Sequence, residues 1–226
     1  LLTESFARVT RSIPISLVAV DEAHCVSQWG QDFRPGYLKI REFLETLPVR
    51  PPVGAFTATA TSTVRRDIVS LLGLQNPVVA CTGFDRPNLF FEVLKPHDKK
   101  MALLSLLRRE DPKSAIVYCA TRKAVEDVCE TLNHAGICAV QYHAGLTPEE
   151  RRANQDDFLY DRAPVMVATN AFGMGIDKSD VSMVVHYNMP KNMESYYQEA
   201  GRAGRDGSPA KCILLYSGQD VVTNRF

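Results

Sequence analysis

The sequence predicts an α/β protein built on parallel β-sheet, and three observations carry that prediction. Short, continuous apolar runs alternate with longer stretches of helical period. The runs are apolar throughout, as strands covered on both faces are, and that is the signature of a parallel sheet. Five successive runs end on small hydroxyls, acids or cations, at the strand ends where open parallel sheets bind ligands. A purely structural scaffold has no need of that placement.

Taken in order, "IPISLVAV" (13–20) reads as a buried strand and "VGAF" (53–56) as a second, with "YLKIREFLETL" (37–47) at helical spacing in between. "STVRRDIVSLLG" (62–73) is a further helix, with Ser62 or Thr61 as its N-cap and Gly73 just past its end. "VVACT" (78–82) and "NLFFEVL" (88–94) are strand-like. The second half repeats the alternation, with strands at "AIVYCA" (115–120), "CAVQYH" (138–143), "VMVAT" (165–169), "MVVHYN" (183–188) and "CILLYS" (212–217). Between them, Thr147-Pro148-Glu149-Glu150 opens a helix as a capping box with proline at the first helical position. The segment 84–97 carries two prolines and breaks the rhythm, so a domain boundary is expected near residue 94, giving domains 1–93 and 94–226. No repeat or low-complexity tract interrupts the chain.

The 226 residues include 26 Lys plus Arg and 26 Asp plus Glu, for a net charge of zero. No basic block advertises a nucleic-acid partner, so any such partner must be held by local clusters. Six cysteines show no CxxC and no zinc-finger spacing, which points to free thiols in a reducing compartment and to no zinc site. No apolar run approaches the ~20 residues of a membrane span. The expectation is a soluble intracellular protein.

The strand exits carry the chemistry. After the first strand come Asp21, Glu22 and His24; after the second, Thr57 and Thr59; then Thr121-Arg122, His143 and Thr169 after later strands. An acid ending an apolar strand is the placement of a nucleotide enzyme's magnesium ligand, and a second acid can act as general base. The same pair also suits a helix N-terminus. In "QEAGRAGRDG" (198–207), Arg202 and Arg205 share one face if the stretch is helical, and the glycines let the backbone turn away afterwards. Such arginines suit a developing phosphoryl charge; the plainer reading is a solvated turn. Gly173 and Gly175 follow the strand at 165–169, where their amides can meet phosphate or their small size can permit tight packing. The lone Trp29 is either core or, with Phe33 and Arg34, part of an aromatic face. His143 is either a phosphate contact or a packed core histidine.

The ordered set "DEAH", "SQWGQDFRP", "FTATAT", "GFDRPNL", "IVYCATR", "YHAGL", "VATNAFGMGIDK" and "SYYQEAGRAGRDG" closely resembles RecQ-type DNA helicases of superfamily 2, from about residue 13 to about 217. "DEAH" alone is shared by many helicases, whereas "SQWGQDFRP" and "FDRPN" are far more particular. The resemblance implies a RecA-like helicase core, a partial first domain followed by a complete second one, with ATP hydrolysed between them. It implies magnesium and water activation at Asp21 and Glu22, and a link from ATP to DNA through His24. Gln198, Arg202 and Arg205 match the motif that reaches the γ-phosphate, with Arg205 as the arginine finger. Asp177 matches a ribose contact, and Gly173 and Gly175 fall in the same nucleotide-side motif. Trp29, Phe33 and Arg34 match the aromatic-rich loop that meets unstacked bases. Thr57 and Thr59 match a relay to the bound strand, while Arg122, His143 and Thr169 are implied phosphate contacts of the kind that bind without reading sequence.

The implied partners are single-stranded and forked DNA, with 3′ to 5′ movement; no protein partner and no membrane is indicated. The implied location is cytoplasmic, at the nucleoid in a bacterium, or nuclear in a eukaryote. Two departures stand out. Gln31 replaces the family's usual histidine and can hydrogen-bond but not titrate, and Ser179 stands where proline is frequent. No GxxxxGK[ST] phosphate loop occurs in these residues, nor the four-cysteine zinc module of the family. The chain is therefore expected to be a truncated motor, inactive alone. The competing readings are a DEAH or DEAD-type RNA helicase and a non-catalytic nucleic-acid-binding fragment. A pure binder would need neither Glu22 nor Arg205.

Overall fold

The computed structural model describes residues 3–29, 33–81, 83, 85–173 and 178–223, the last two without their side chains. The chain forms two compact units, Leu1–Gly83 and Phe84–Phe226.

The first unit holds a helix α1 (Glu4–Ser12), a strand β1 (Val18–Val20), a 3-10 turn (Ala23–Val26), α2 (Pro35–Thr46), β2 (Val53–Ala55) and α3 (Ser62–Leu71). The two strands pair in parallel, Val18 with Val53 and Val20 with Ala55. Helices α2 and α3 cover them through Ile40, Phe43, Leu44, Val64 and Ile68. Thr61 is the N-cap of α3, its side chain accepting from Val64 N at 3.3 Å. Gly73 follows the helix at φ +61°, a conformation that costs a side chain but not glycine.

The second unit is a six-stranded parallel sheet in the order β3-β8-β7-β4-β6-β5. Its strands are β3 (Leu89–Leu94), β4 (Ala115–Tyr118), β5 (Ala139–Tyr142), β6 (Val165–Ala168), β7 (Met183–His186) and β8 (Ala210–Leu215). Its helices are α4 (Lys99–Glu110), α5 (Arg122–His134), α6 (Pro148–Leu159), α7 (Met193–Ala200) and α8 (Gly218–Thr223). The strands β4, β6 and β7 are buried at every position, which is why they read as continuous apolar runs. Their alternate residues still divide between two cores. Ala115, Val117, Val165 and Val167 face Leu106 and Val128 of α4 and α5. Ile116, Met166 and Val184 face Phe158 and Phe172 on the other side. The capping box at Thr147 and Glu150 starts α6 as the sequence indicates.

Three expectations are corrected. The run "VVACT" forms no strand among its described residues, and Val78 is 97% exposed; a β-favouring composition alone does not make a strand where no ladder is formed. β3 pairs in parallel with β8 along its whole length, so it joins the second unit's sheet, and the compact units divide ahead of it rather than near residue 94. The run 13–20 contributes only its last three residues to strand, because β2 offers just three partners.

Phe158 is fully buried and meets Phe172 edge-on, with ring centroids 5.8 Å apart. Phe158→Ala is expected to cost about 3–5 kcal/mol. Urea denaturation should show the midpoint falling with an unchanged slope.

Candidate nucleotide and nucleic-acid site

In the first unit the site is built on the exits of β1 and β2. Phe56 N donates to Val20 O at 2.8 Å and Ala23 N to Phe56 O at 2.9 Å, so the two exits are laced together just beyond the last paired residues. Asp21 is exposed, and its Oδ1 accepts from Glu22 N at 2.8 Å. Glu22 has φ 47° and ψ 44°, the left-handed region that a residue with a side chain rarely occupies. That turn aims the chain into the 3-10 segment and buries His24.

His24 Nδ1 lies 2.8 Å from Thr57 Oγ1, and Thr57 Oγ1 donates to Thr59 O at 3.0 Å. With its one proton committed to Thr59, the Thr57 hydroxyl accepts from His24 Nδ1–H. The imidazole tautomer is thereby assigned, with Nε2 facing Cys25 Sγ at 3.7 Å. Glu22 Oε2 lies 3.3 Å from His24 Nδ1 yet is a buried oxygen without a hydrogen-bond partner. One exposed carboxylate beside one such oxygen suits a magnesium ion that keeps waters and phosphate oxygens in its remaining positions. No cluster of three or more His, Cys, Asp or Glu able to hold a metal occurs among the described residues.

Past the turn, Ser27 is fully buried; its Oγ donates to Asp67 Oδ2 at 2.5 Å and accepts from Trp29 N at 3.1 Å. Trp29 itself is 79% exposed, so it is not core. Arg34 is exposed and Phe33 half-buried; Arg34 N donates to Cys25 O at 2.9 Å, which closes the loop at its far end. Tyr37 on α2 reaches back with its hydroxyl to Asp21 O at 3.2 Å, and burial holds its phenol above the ordinary pKa. Gln31 lies outside the described residues.

In the second unit, α7 ends at Ala200, so Arg202 and Arg205 stand in the turns that follow rather than along one helical face. Gln198 is half-buried on α7, and Arg205 is exposed. Arg202 packs its guanidinium against Gly173 so closely that a Cβ there would collide with Nη2. The Tyr118 phenol, whose pKa burial pushes up against the lowering influence of the nearby Arg202 charge, keeps its proton and donates to Phe172 O at 3.1 Å. Arg202 Nε is buried without a partner. Tyr118 stacks on His186, whose Nε2 meets Glu199 Oε2 at 2.9 Å. Gly175 and Asp177 lie outside the described residues.

The remaining strand exits divide. Arg122 is exposed at the start of α5. His143 is buried: Nδ1 accepts from Gly145 N at 3.1 Å and Nε2 lies 3.4 Å from Glu126 Oε1, so its side chain orders the turn after β5. Thr169 is buried too, its Oγ1 accepting from Ala171 N at 3.4 Å. Sequence reasoning missed Ser27, Asp67, Tyr37 and Tyr118. Each acts through a contact distant in the chain, and the only signal at hand was a polar residue inside or beside an apolar element. No helix among the described residues is long and apolar enough to cross a membrane.

Residues 98–207 match the helicase conserved C-terminal domain. The ATP-dependent DNA helicase RecQ of Bacillus subtilis (strain 168) is 47% identical over 221 residues, 98% of this chain and 37% of that protein. The bifunctional 3'-5' exonuclease/ATP-dependent helicase WRN of Mus musculus is 46% identical over 224 residues, 95% of this chain and 16% of that protein. Among solved structures, S. cerevisiae Dbp5 bound to RNA and ADP BeF3 matches with a TM-score of 0.72 at 25% identity, covering 93% of this chain and 56% of that one. The chain thus spans well under half the length of the two curated relatives. Similarity of this degree along nearly the whole of its residues shows that the chain belongs to the RecQ-type helicase family.

Proposed function

We propose that the chain is motor machinery of an ATP-driven DNA helicase that moves 3′ to 5′ on single strands and opens forked DNA. The observation that carries this reading is the run of contacts from the exit of β1 to that of β2: Glu22 beside His24, His24 hydrogen-bonded to Thr57, Thr57 hydrogen-bonded to Thr59. A path of this kind gives a strand bound near Thr57 and Trp29 a mechanical route to the acid that activates water. In this reading the first unit is the end of a nucleotide-binding RecA-like domain and the second a complete one. Asp21 and Glu22 would hold magnesium, which neutralises phosphate charge when bound. Glu22 takes the water proton, and Arg205 meets the γ-phosphate with Gln198 and Arg202 beside it. Trp29, Phe33 and Arg34 offer stacking and phosphate contacts, and Arg122 a further phosphate contact.

The test is magnesium-ATP turnover by the full gene product with no nucleic acid, with single-stranded DNA and with RNA. Stimulation by DNA above RNA is expected. Preferential stimulation by RNA would favour the second reading, an RNA helicase; a relative named a putative ATP-dependent RNA helicase in Acanthamoeba polyphaga mimivirus, 43% identical, motivates that arm. No turnover under any condition would sink both and leave a binding module. Polarity is read from unwinding of duplexes with a 3′ or a 5′ overhang.

Two substitutions probe the parts separately. Trp29→Ala should leave unstimulated turnover intact and weaken single-strand binding by about 1–3 kcal/mol. Fluorescence anisotropy with a labelled oligonucleotide reads it. Gly173→Ala should displace the Arg202 guanidinium from Tyr118 and lower turnover by about tenfold, which corresponds to ~1.4 kcal/mol of barrier. Because the group displaced is the far end of a flexible side chain, the urea midpoint should hardly move.

A further inference from the structure

The segment before β3 carries no role in the scheme above, yet its side chains converge on the loop that bears the arginines. Arg86 Nη2 donates to Ala203 O at 3.2 Å and to Gly204 O at 2.8 Å, while its Nε points to Asn88 Oδ1 at 3.4 Å. Asn88 Nδ2 donates to Gly204 O at 2.8 Å and to Ser208 O at 2.9 Å, and Asn88 O accepts from Ala210 N at 2.9 Å. Carbonyls on both sides of Arg205 are thus held by two side chains that lie more than a hundred residues earlier in the chain. From the other direction, Gly204 N donates to Val181 O at 2.9 Å and Asp206 N to Ser179 O at 3.1 Å. Within the loop, the carbonyls of Ala203 and Gly204 and the amides of Gly204 and Asp206 are therefore fixed by other parts of the fold.

The fit leaves no slack at Gly204. Its φ is +53°, and a Cβ there would stand 2.5 Å from both Asn88 Nδ2 and Ser208 O. A loop that only had to turn would not need two side chains on one carbonyl. A planar guanidinium fork satisfies two adjacent carbonyls from one rigid group, which a lysine ammonium does less well. Polar side chains spent on loop carbonyls, rather than on a ligand, are the mark of a support for whatever the loop presents.

We infer that Arg86 and Asn88 are positioning residues for the arginine loop: they fix where the backbone of Arg205 stands and touch neither nucleotide nor DNA. This rests on the proposed function. Misplacing a reacting group by about 1 Å can cost on the order of 10²-fold in rate, so loosening the clamp should be felt in kcat.

The experiment uses the full gene product and DNA-stimulated ATP turnover. Arg86→Gln and Asn88→Ala should each lower kcat by about tenfold or more with KM for ATP little changed, and Arg86→Lys should recover part of the loss. A merely structural role is separated by a cycle with Arg205→Lys. If the clamp acts through Arg205, its removal in that background should change kcat by less than about twofold, because residues acting as one unit are not additive. Unchanged kcat in both single variants would overturn the inference, as would losses that add in the Arg205→Lys background. A starting protein without DNA-stimulated turnover is a distinct outcome: it removes the proposed function, and the inference with it.

Discussion

Replacing Arg205 by alanine is expected to lower ATP turnover by about 10³- to 10⁵-fold, the range that an arginine stabilising a transferring phosphoryl group supplies. The two arginines of the loop are not equivalent. Arg202 is packed on Gly173, whereas Arg205 is exposed on a turn whose neighbouring backbone is anchored on Val181 and Ser179. An exposed side chain on a fixed backbone is placed where a phosphate can reach it. Arg205→Lys keeps the charge but loses the planar fork, so it should recover only a small part of the loss. Steady-state hydrolysis with saturating single-stranded DNA reads the effect. Turnover within threefold of the starting protein would remove Arg205 from the chemistry. Because the residue is exposed, thermal unfolding should be nearly unchanged.

Glu22→Gln should lower turnover by about 10²- to 10⁴-fold, the usual worth of a positioned general base. The change conserves shape and replaces a proton acceptor by an amide. Glu22 Oε2 is turned inward beside His24 Nδ1 while the side chain as a whole is 40% exposed, which leaves the carboxylate open to take a proton from water. Nucleotide binding should survive, since Asp21 remains. A filter-binding or fluorescence titration with ATP should therefore give a Kd near that of the starting protein while hydrolysis falls. Loss of both together would mean that the residue builds the pocket rather than the reaction.

The second unit was legible because the central strands of its sheet are buried on both faces. The runs at β4, β6 and β7 are buried at every position and apolar but for Tyr118 and His186 at their ends, and the capping box at Thr147 marked its helix locally. What failed was whatever depends on distant partners. Composition cannot tell that "NLFFEVL" pairs with β8 while "VVACT" pairs with nothing described. The placement of Asp21, Glu22 and Thr57 just beyond the ends of β1 and β2 was readable from where the apolar runs stop, whereas the exposure of Trp29 was not. The neighbours of His143 and Gly173, Glu126 for one and Arg202 for the other, lie elsewhere in the chain and could not be read locally. Arg86 and Asn88 were visible only as part of a motif, because their targets are main-chain carbonyls, which every residue has.

The left-handed backbone at Glu22 sets fitness for folding against fitness for catalysis. Glycine at that position would relieve a strain on the order of 1 kcal/mol. It would also delete the carboxylate. A saturation library at position 22 sorted only for resistance to proteolysis should therefore enrich glycine and asparagine, the residues that tolerate this conformation. The same library sorted for DNA-dependent growth should return glutamate. A site at which the two selections disagree is one where the sequence is being held away from its own most stable choice, and here the backbone angle alone says so.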